Sequence, residues 1–268
     1  MTEDDHPLLS CDALGVIVPG RHLVEKLRLS LHRGEFVAML GQNGVGKTLT
    51  LLTLAGLRAP DGGGVFLNGA NIATTRRLLV ARQLALLPQV TEDIFPATVL
   101  DTALIGRHPH IGRLHWESPS DHEIVETSLA AMGIDDLASR DVLTLSGGER
   151  RRLAIAQILT QAPDVYLLDE PTNHLDPQHQ LDALHVFRRA ADNGATILAS
   201  LHDVNLAARF ADRCLLLYGN GRWELGATGE ILSESRLSEL YATPMEAVAW
   251  RSRQLFVAAG EAAANRSG

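Results

Sequence analysis

Phe36-Val37-Ala38-Met39-Leu40-Gly41-Gln42-Asn43-Gly44-Val45-Gly46-Lys47-Thr48 is the stretch from which the rest of the chain can be read. Its first five residues are uninterruptedly apolar, as a short buried strand requires, and Leu49 to Leu57 continues it as an apolar helix. Between the two, a glycine-rich turn ending in Lys47-Thr48 fits the phosphate-binding loop, or P-loop. Glycines let the backbone fold back so that its N–H groups face an anion, and the helix N-terminus adds its partial positive charge. The residues expected to cradle a phosphate here are Gly41, Gln42, Asn43, Gly44, Val45, Gly46, Lys47 and Thr48. Lys47 would reach the β- and γ-phosphates, and the Thr48 hydroxyl would face Mg²⁺.

A second stretch completes the phosphate chemistry. Val165-Tyr166-Leu167-Leu168 predicts a central strand of a parallel sheet, and Asp169-Glu170 sits at its C-terminal end, where open α/β sheets bind ligands. Asp169 can bind Mg²⁺ directly or through a water. Glu170, one residue on, can aim at the water that attacks the γ-phosphorus. Taken alone, two carboxylates at a strand end are also what a surface turn carries; downstream of a P-loop they gain a role.

Composition bounds the alternatives. A chain of 268 residues with 46% hydrophobic content can bury a full core. No apolar run reaches the roughly 18 residues needed to span a bilayer. Met1-Thr2-Glu3-Asp4-Asp5 lacks the basic-then-apolar order of a signal peptide, so a cytoplasmic chain is expected. Cys11 and Cys214 are too few and too far apart in sequence for a disulfide framework or a zinc site. A net charge of −8 argues against nucleic acid as a partner, and Arg150-Arg151-Arg152 reads as a solvated or dipole-facing helix face.

The pattern divides the chain. Leu8 to Asn71 alternates in strand fashion around glycine turns. From Pro96 to Ser139 strand signals fade, and Ile124, Val125, Leu129 and Met132 take helical spacing within Asp121 to Met132. From Ala154 to Tyr218 strands and helices alternate again, Thr196 to Leu201 and Cys214 to Tyr218 being two more apolar strands. A small helical appendage and a polar, alanine-rich tail follow. Between the P-loop and Asp169-Glu170 lies Leu145-Ser146-Gly147-Gly148-Glu149, which on isolated sequence would be a flexible linker before a helix.

The order and spacing of P-loop, Gln89 after Leu84-Ala85-Leu86-Leu87-Pro88, Leu145 to Glu149, Asp169-Glu170, Leu175-Asp176 and His202 resemble ABC-transporter nucleotide-binding subunits, over about residues 8 to 248. The resemblance implies an α/β P-loop NTPase with a RecA-like core, an N-terminal antiparallel β part and a helical signature subdomain. In those terms residues 8–95 and 154–218 form the catalytic core with its β part, 96–153 the signature subdomain, 219–248 a C-terminal helical appendage and 249–268 a tail. ATP and Mg²⁺ are the implied cofactors. Two copies would pack head to tail in a homodimer closed by ATP, so that Ser146, Gly147, Gly148 and Asp176 of one serve the nucleotide held by the other. Gln89 resembles the lid glutamine, which touches Mg²⁺ and the attacking water. His202 resembles the switch histidine, which holds the γ-phosphate and orients Glu170. The metal set implied is Thr48, Gln89 and Asp169, and the catalytic set Glu170, His202, Gln89 and Lys47.

Three positions depart from the family pattern. The aromatic that stacks on adenine is replaced by Val18, so the base has no assigned partner. Leu49 stands where a small hydroxyl residue is common, so it would join the nucleotide-binding set only through its backbone N–H to the α-phosphate, and Glu149 stands where Gln is commonest. Gly106-Arg107-His108-Pro109-His110, Trp116 and Asp121, Thr172-Asn173-His174-Leu175-Asp176 and Leu240-Tyr241 to Val248 resemble ATPases of iron-siderophore, haem and cobalamin importers. That implies polytopic permease subunits as partners at the cytoplasmic face of the membrane, and indirectly a periplasmic or surface binding protein. His108, His110 and His115 would belong to the permease-facing surface rather than a metal site. A soluble ABC ATPase outside transport, as in iron-sulfur cluster assembly, is the alternative.

Overall fold

The computed structural model describes residues 6–89, 96–112, 115–251 and 253–259. The chain opens with the antiparallel hairpin β1 (Leu9–Val18) and β2 (Arg21–Leu31), followed by β3 (Phe36–Leu40) and α1 (Lys47–Leu54). Then come β4 (Gly62–Leu67), β5 (Ala70–Asn71), α2 (Arg77–Gln83) and β6 (Leu84–Leu87). The insert carries α3 (Val99–Leu104), α4 (Pro119–Ala131) and short 3-10 turns, and α5 (Gly147–Gln161) leads back to β7 (Val165–Asp169). Next are α6 (Pro177–Asp192), β8 (Thr196–Ser200), α7 (Val204–Phe210) and β9 (Arg213–Leu217). β10 (Trp223–Ala227), α8 (Thr228–Ile231), α9 (Glu234–Tyr241), β11 (Met245–Trp250) and β12 (Arg253–Ala258) complete it.

Two sheets and a terminal hairpin result. The central sheet runs β10-β9-β3-β8-β7-β6, parallel except for β10, and the other runs β2-β1-β4-β5. Side chains alternate across a strand, so the apolar runs serve two cores at once. Phe36, Ala38 and Leu40 of β3 join Tyr166, Leu168, Ile197, Ala199, Cys214 and Leu216 in one core with the helices of the insert, α5, α6 and α7. Val37 and Met39 join Val165, Leu167, Leu198, Leu215 and Leu217 in the other, beneath the antiparallel sheet and α1. Burial on both faces is why these strands read as unbroken apolar segments. Both cysteines are free and buried, and burial pushes the thiols up, Cys11 to about 12 and Cys214 to about 11.

The insert is pinned by residues that also marked it in sequence. At Gly106 a Cβ would stand 2.3 Å from the Gln157 carbonyl, so only a glycine lets this turn lie against α5. Arg107 donates Nε to Asp121 at 2.7 Å and Nη1 to the Thr160 carbonyl at 3.1 Å. Asp121 also closes a capping box with Ser118 at the start of α4. Hydrogen bonds from Ser118, with Arg107 beside it, hold the Asp121 carboxyl down at about 2. A depressed folded-state pKa stabilises fully above the ordinary carboxylate value near ~4 and is lost as pH falls through the folded value. The stability gap between the parent and Asp121→Asn, read from urea midpoints, is therefore expected to shrink between about pH 4 and pH 2. A gap independent of pH would mean that packing, not charge, sets the contribution of Asp121.

Some expectations shift. α1 starts at Lys47 and ends at Leu54, leaving Leu57 63% exposed. The boundary at residues 153 and 154 falls inside α5, which runs unbroken. The appendage over 219–248 is not purely helical, because β10 adds to the central sheet and β11 pairs with β12. That hairpin carries the chain through Ala258, so part of the expected tail is a strand; residues 260–268 lie outside the described residues. Most of β11 and β12 is exposed, so neither carries the apolar pattern by which a strand is recognised.

Candidate active site

The motif residues meet because four neighbouring parallel strands, β3, β8, β7 and β6, end on the same edge of the sheet. The P-loop follows β3, Glu170 follows β7, His202 follows β8 and Gln89 follows β6. This is the carboxyl edge where open α/β sheets bind ligands. A cavity of about 660 Å³ opens there, lined by Asn43, Gly44, Gly46, Lys47, Thr48 and Leu49 on one side and by Gln89, Glu170, Asn173 and His202 on another. Val18, Arg21 and Leu23 from the β1–β2 hairpin form the remaining wall.

The loop is built by close packing. A Cβ at Gly41 would lie 2.5 Å from the Leu217 carbonyl, so β3 can turn out of the sheet there only without a side chain. Gly41 and Val45 are buried beneath the loop, while Gln42 is exposed. Lys47 is buried and donates Nζ to the carbonyls of Gly41 at 2.8 Å and Gln42 at 3.1 Å. Burial lowers its pKa from the ordinary lysine value, and the charges of Glu170 and Asp169 act the other way. An ammonium held this way is already desolvated and aimed at the loop cavity.

Around Glu170 the side chains converge. His202 Nε2 lies 2.5 Å from Oε1, and Gln89 donates Nε2 to Oε2 at 2.8 Å. The Asn173 amide donates to Oε2 as well. Glu170 itself adopts φ +49, a left-handed conformation that costs a non-glycine residue about 1–2 kcal/mol. The backbone is held there from two sides, since its N–H donates to Ser200 Oγ at 2.9 Å and its carbonyl accepts from Arg151. Ser200 Oγ in turn donates to Asp169 Oδ1 at 2.7 Å. Asp169 Oδ2 is buried with no hydrogen-bond partner among the described residues, next to Thr48 and Gln89 in a smaller cavity.

Arg151 corrects the expectation for the arginine run. It is 3% exposed rather than solvated, and its guanidinium donates to the carbonyls of Pro88, Gln89, Asp169, Glu170 and Pro171. One side chain thus ties α5 to the segments that carry Gln89 and Glu170. Burial brings its pKa down to about 10, opposed by Asp169 and Glu170. Helical spacing did contain a signal: Ala154, Ile155 and Ile158 lie three, four and seven residues on and so share a buried face with Arg151, and a basic residue on a buried face needs partners. Ser200 and Asn173 were also missed, the first being a hydroxyl ending a fully buried strand directly opposite Asp169 in register.

Ser146, Gly147 and Asp176 do not join this cavity within the chain. Ser146 caps α5, accepting from the Glu149 N–H at 3.2 Å while the Glu149 carboxylate accepts from the Ser146 N–H at 2.7 Å. Glu149 therefore completes a capping box, and those hydrogen bonds lower its pKa. Ser146 and Gly147 are exposed, and Gly148 lies against the His174 carbonyl. Asp176 caps α6 and binds His179 through both oxygens, to its N–H at 2.9 Å and its Nδ1 at 2.8 Å, contacts that lower its pKa. Among the described residues no group of three or more His, Cys, Asp or Glu side chains could hold a metal, and His110 instead meets the Gln161 carbonyl.

A P-loop leaving the central strand of a parallel sheet, with a carboxylate pair on the next strand but one, defines a P-loop nucleoside triphosphatase. The ABC transporter family matches residues 24–173. The hemin import ATP-binding protein HmuV of Pseudomonas putida is 41% identical over 240 residues, covering 87% of this chain and 92% of its own. The achromobactin transport ATP-binding protein CbrD of Dickeya dadantii is 38% identical over 82% of each chain. A solved chain from an inward-facing transporter described as of metal-chelate type superposes with a TM-score of 0.80 at 28% identity, covering 94% of this chain and 97% of that one. The chain belongs to the ABC transporter family, as an ATP-binding subunit that hydrolyses ATP to power transport.

Proposed function

We propose that this chain is the ATPase of an importer for a metal chelate, of the iron-siderophore, haem or cobalamin kind, docked on polytopic permease subunits at the cytoplasmic face of the membrane. The observation that carries the catalytic part is the Glu170 carboxylate, placed between His202 and Gln89 at the edge of the P-loop cavity. The cargo class rests on the relatives, whose names specify hemin, achromobactin and, for FhuC of Bacillus subtilis at 35% identity, iron(3+)-hydroxamate import. No helix among the described residues is long and apolar enough to cross a membrane, so passage of cargo is assigned to the permease.

In this reading the triphosphate lies along the loop from Gly41 to Leu49, and its oxygens replace the Gly41 and Gln42 carbonyls as partners of Lys47. Mg²⁺ would be held by Thr48 and Asp169, with Gln89 beside them; the buried, unpartnered Asp169 Oδ2 fits such a cation. The bound cation supplies charge neutralisation on the phosphate oxygens. Glu170 accepts the proton of the attacking water, while His202 orients that carboxylate and meets the γ-phosphate. Little covalent work is asked of the protein, so positioning and electrostatics carry the reaction.

Ser146, Gly147, Gly148 and Asp176 act on the nucleotide of a second copy. The exposure of Ser146 and Gly147 and their absence from the cavity of their own chain support this, and a helix N-terminus is suited to a phosphate. Affinity purification of the chain with its chromosomal neighbours, followed by ATP-driven uptake in proteoliposomes, tests the proposal. A polytopic permease and accumulation of a metal chelate are expected; recovery with soluble iron-sulfur scaffold proteins and no permease would replace it with the non-transport reading.

A further inference from the structure

The Val18–Arg21 wall of the nucleotide cavity has no role in the phosphate chemistry. The P-loop occupies one side of the cavity and the Glu170–His202–Gln89 cluster another, so a nucleotide with its γ-phosphate at Glu170 directs its base toward the hairpin wall. That wall contains no aromatic side chain. Val18 and Arg21 are direct cross-strand partners on either side of the Pro19-Gly20 turn, so their side chains stand on the same face. Gly20 adopts φ +78, which with Pro19 before it suits a tight, pre-organised turn. Arg21 makes no ion pair among the described residues, and its Nη2 donates to the Gly219 carbonyl at 3.2 Å.

That hydrogen bond anchors the guanidinium. The turn holding Gly219 packs against Val45 of the P-loop, and Gly221 bonds the Glu25 N–H and bridges Val24 in β2. Hairpin tip, P-loop and turn are thereby one packed unit. A guanidinium is planar and weakly hydrated and lies flat on aromatic faces, whereas a lysine ammonium is a strongly hydrated point charge with no plane to stack.

We infer that Arg21 supplies the plane on which the nucleotide base stacks, with Val18 completing an apolar platform in place of an aromatic ring. This rests on the reading that the P-loop cavity holds ATP. Stacking of a base on a side chain is lost by alanine substitution at a cost of roughly one to two orders of magnitude in affinity. An arginine near a nucleotide could instead serve phosphate, and the test separates the two.

Calorimetric affinities for Mg-ATP and for Mg-tripolyphosphate, which lacks base and sugar, are measured on the parent, Arg21→Ala and Arg21→Lys. Arg21→Ala is expected to weaken ATP about tenfold, with a matching rise in KM and little change in kcat, while tripolyphosphate affinity stays within about twofold. Arg21→Lys, which keeps the charge but not the plane, is expected to match Arg21→Ala for both ligands. Parental ATP affinity in either variant overturns the inference, as does an equal loss of ATP and tripolyphosphate. A parent that binds tripolyphosphate but gains nothing from the nucleoside overturns it too; a parent that binds neither overturns the underlying reading of the cavity.

Discussion

Glu170→Gln is expected to lower ATP turnover by about 10²- to 10⁴-fold while ATP remains bound, the range typical for loss of a positioned general base. The amide is close in shape to the carboxylate and retains a carbonyl oxygen, so the surroundings of Gln89, Asn173 and His202 can persist. What it cannot do is take a proton from water. The phosphate end of the cavity, with Lys47 and Thr48, is untouched, so nucleotide affinity should hold. With hydrolysis blocked, two chains are expected to remain closed over their nucleotides. Single-turnover hydrolysis gives the rate, and light scattering with ATP gives a mass near twice that of one chain. Hydrolysis at the parent rate would remove Glu170 from the role of base.

Arg151→Ala should have the other large effect, on folding and catalysis together. Its guanidinium satisfies carbonyls in two separate segments, around Pro88-Gln89 and across Asp169, Glu170 and Pro171. Buried carbonyls left without a donor each cost about 1–3 kcal/mol, moderated where water can enter, so a total of roughly 3–5 kcal/mol is expected. For a chain of this size that lowers the thermal midpoint by roughly 10 °C. Turnover measured well below the new midpoint should still fall, because Glu170 loses a bond that holds its left-handed backbone. Arg151→Lys should rescue little, since one ammonium cannot span the same carbonyls in a planar fork. Near-parental melting of Arg151→Ala would return the residue to the solvated face that its neighbours suggest.

These two residues mark how far sequence reading reaches. Glu170 was legible because it adjoins Asp169 at the end of an apolar strand and lies downstream of a P-loop, all local features. The same holds for Lys47 and Thr48, where consecutive residues would form the proposed anion site through their own backbone. For Arg151 the helical spacing marks a buried face but not the partners, which lie 18 to 63 residues away and arrive only when β6 and β7 pair. Ser200 and Asn173 were overlooked for related reasons: a hydroxyl on a strand and an amide in a loop acquire meaning from what stands opposite. The β11–β12 hairpin was read as helix and tail because an exposed two-stranded ribbon needs no apolar alternation.

Sequence by itself determined the class of the protein, the order of its motifs and the residues proposed to meet phosphate. Those follow from short-range rules: apolar runs buried on both faces make parallel strands, and glycines before Lys-Thr bend the backbone around an anion. Tertiary structure alone decided how Glu170 is held, that Arg151 is buried among carbonyls, and that Arg21 is anchored on the distant Gly219 carbonyl beside the P-loop cavity. Each of these depends on pairing distant segments. A side chain's partners, and so its chemistry, are set by strand register and packing that no single stretch of the chain contains.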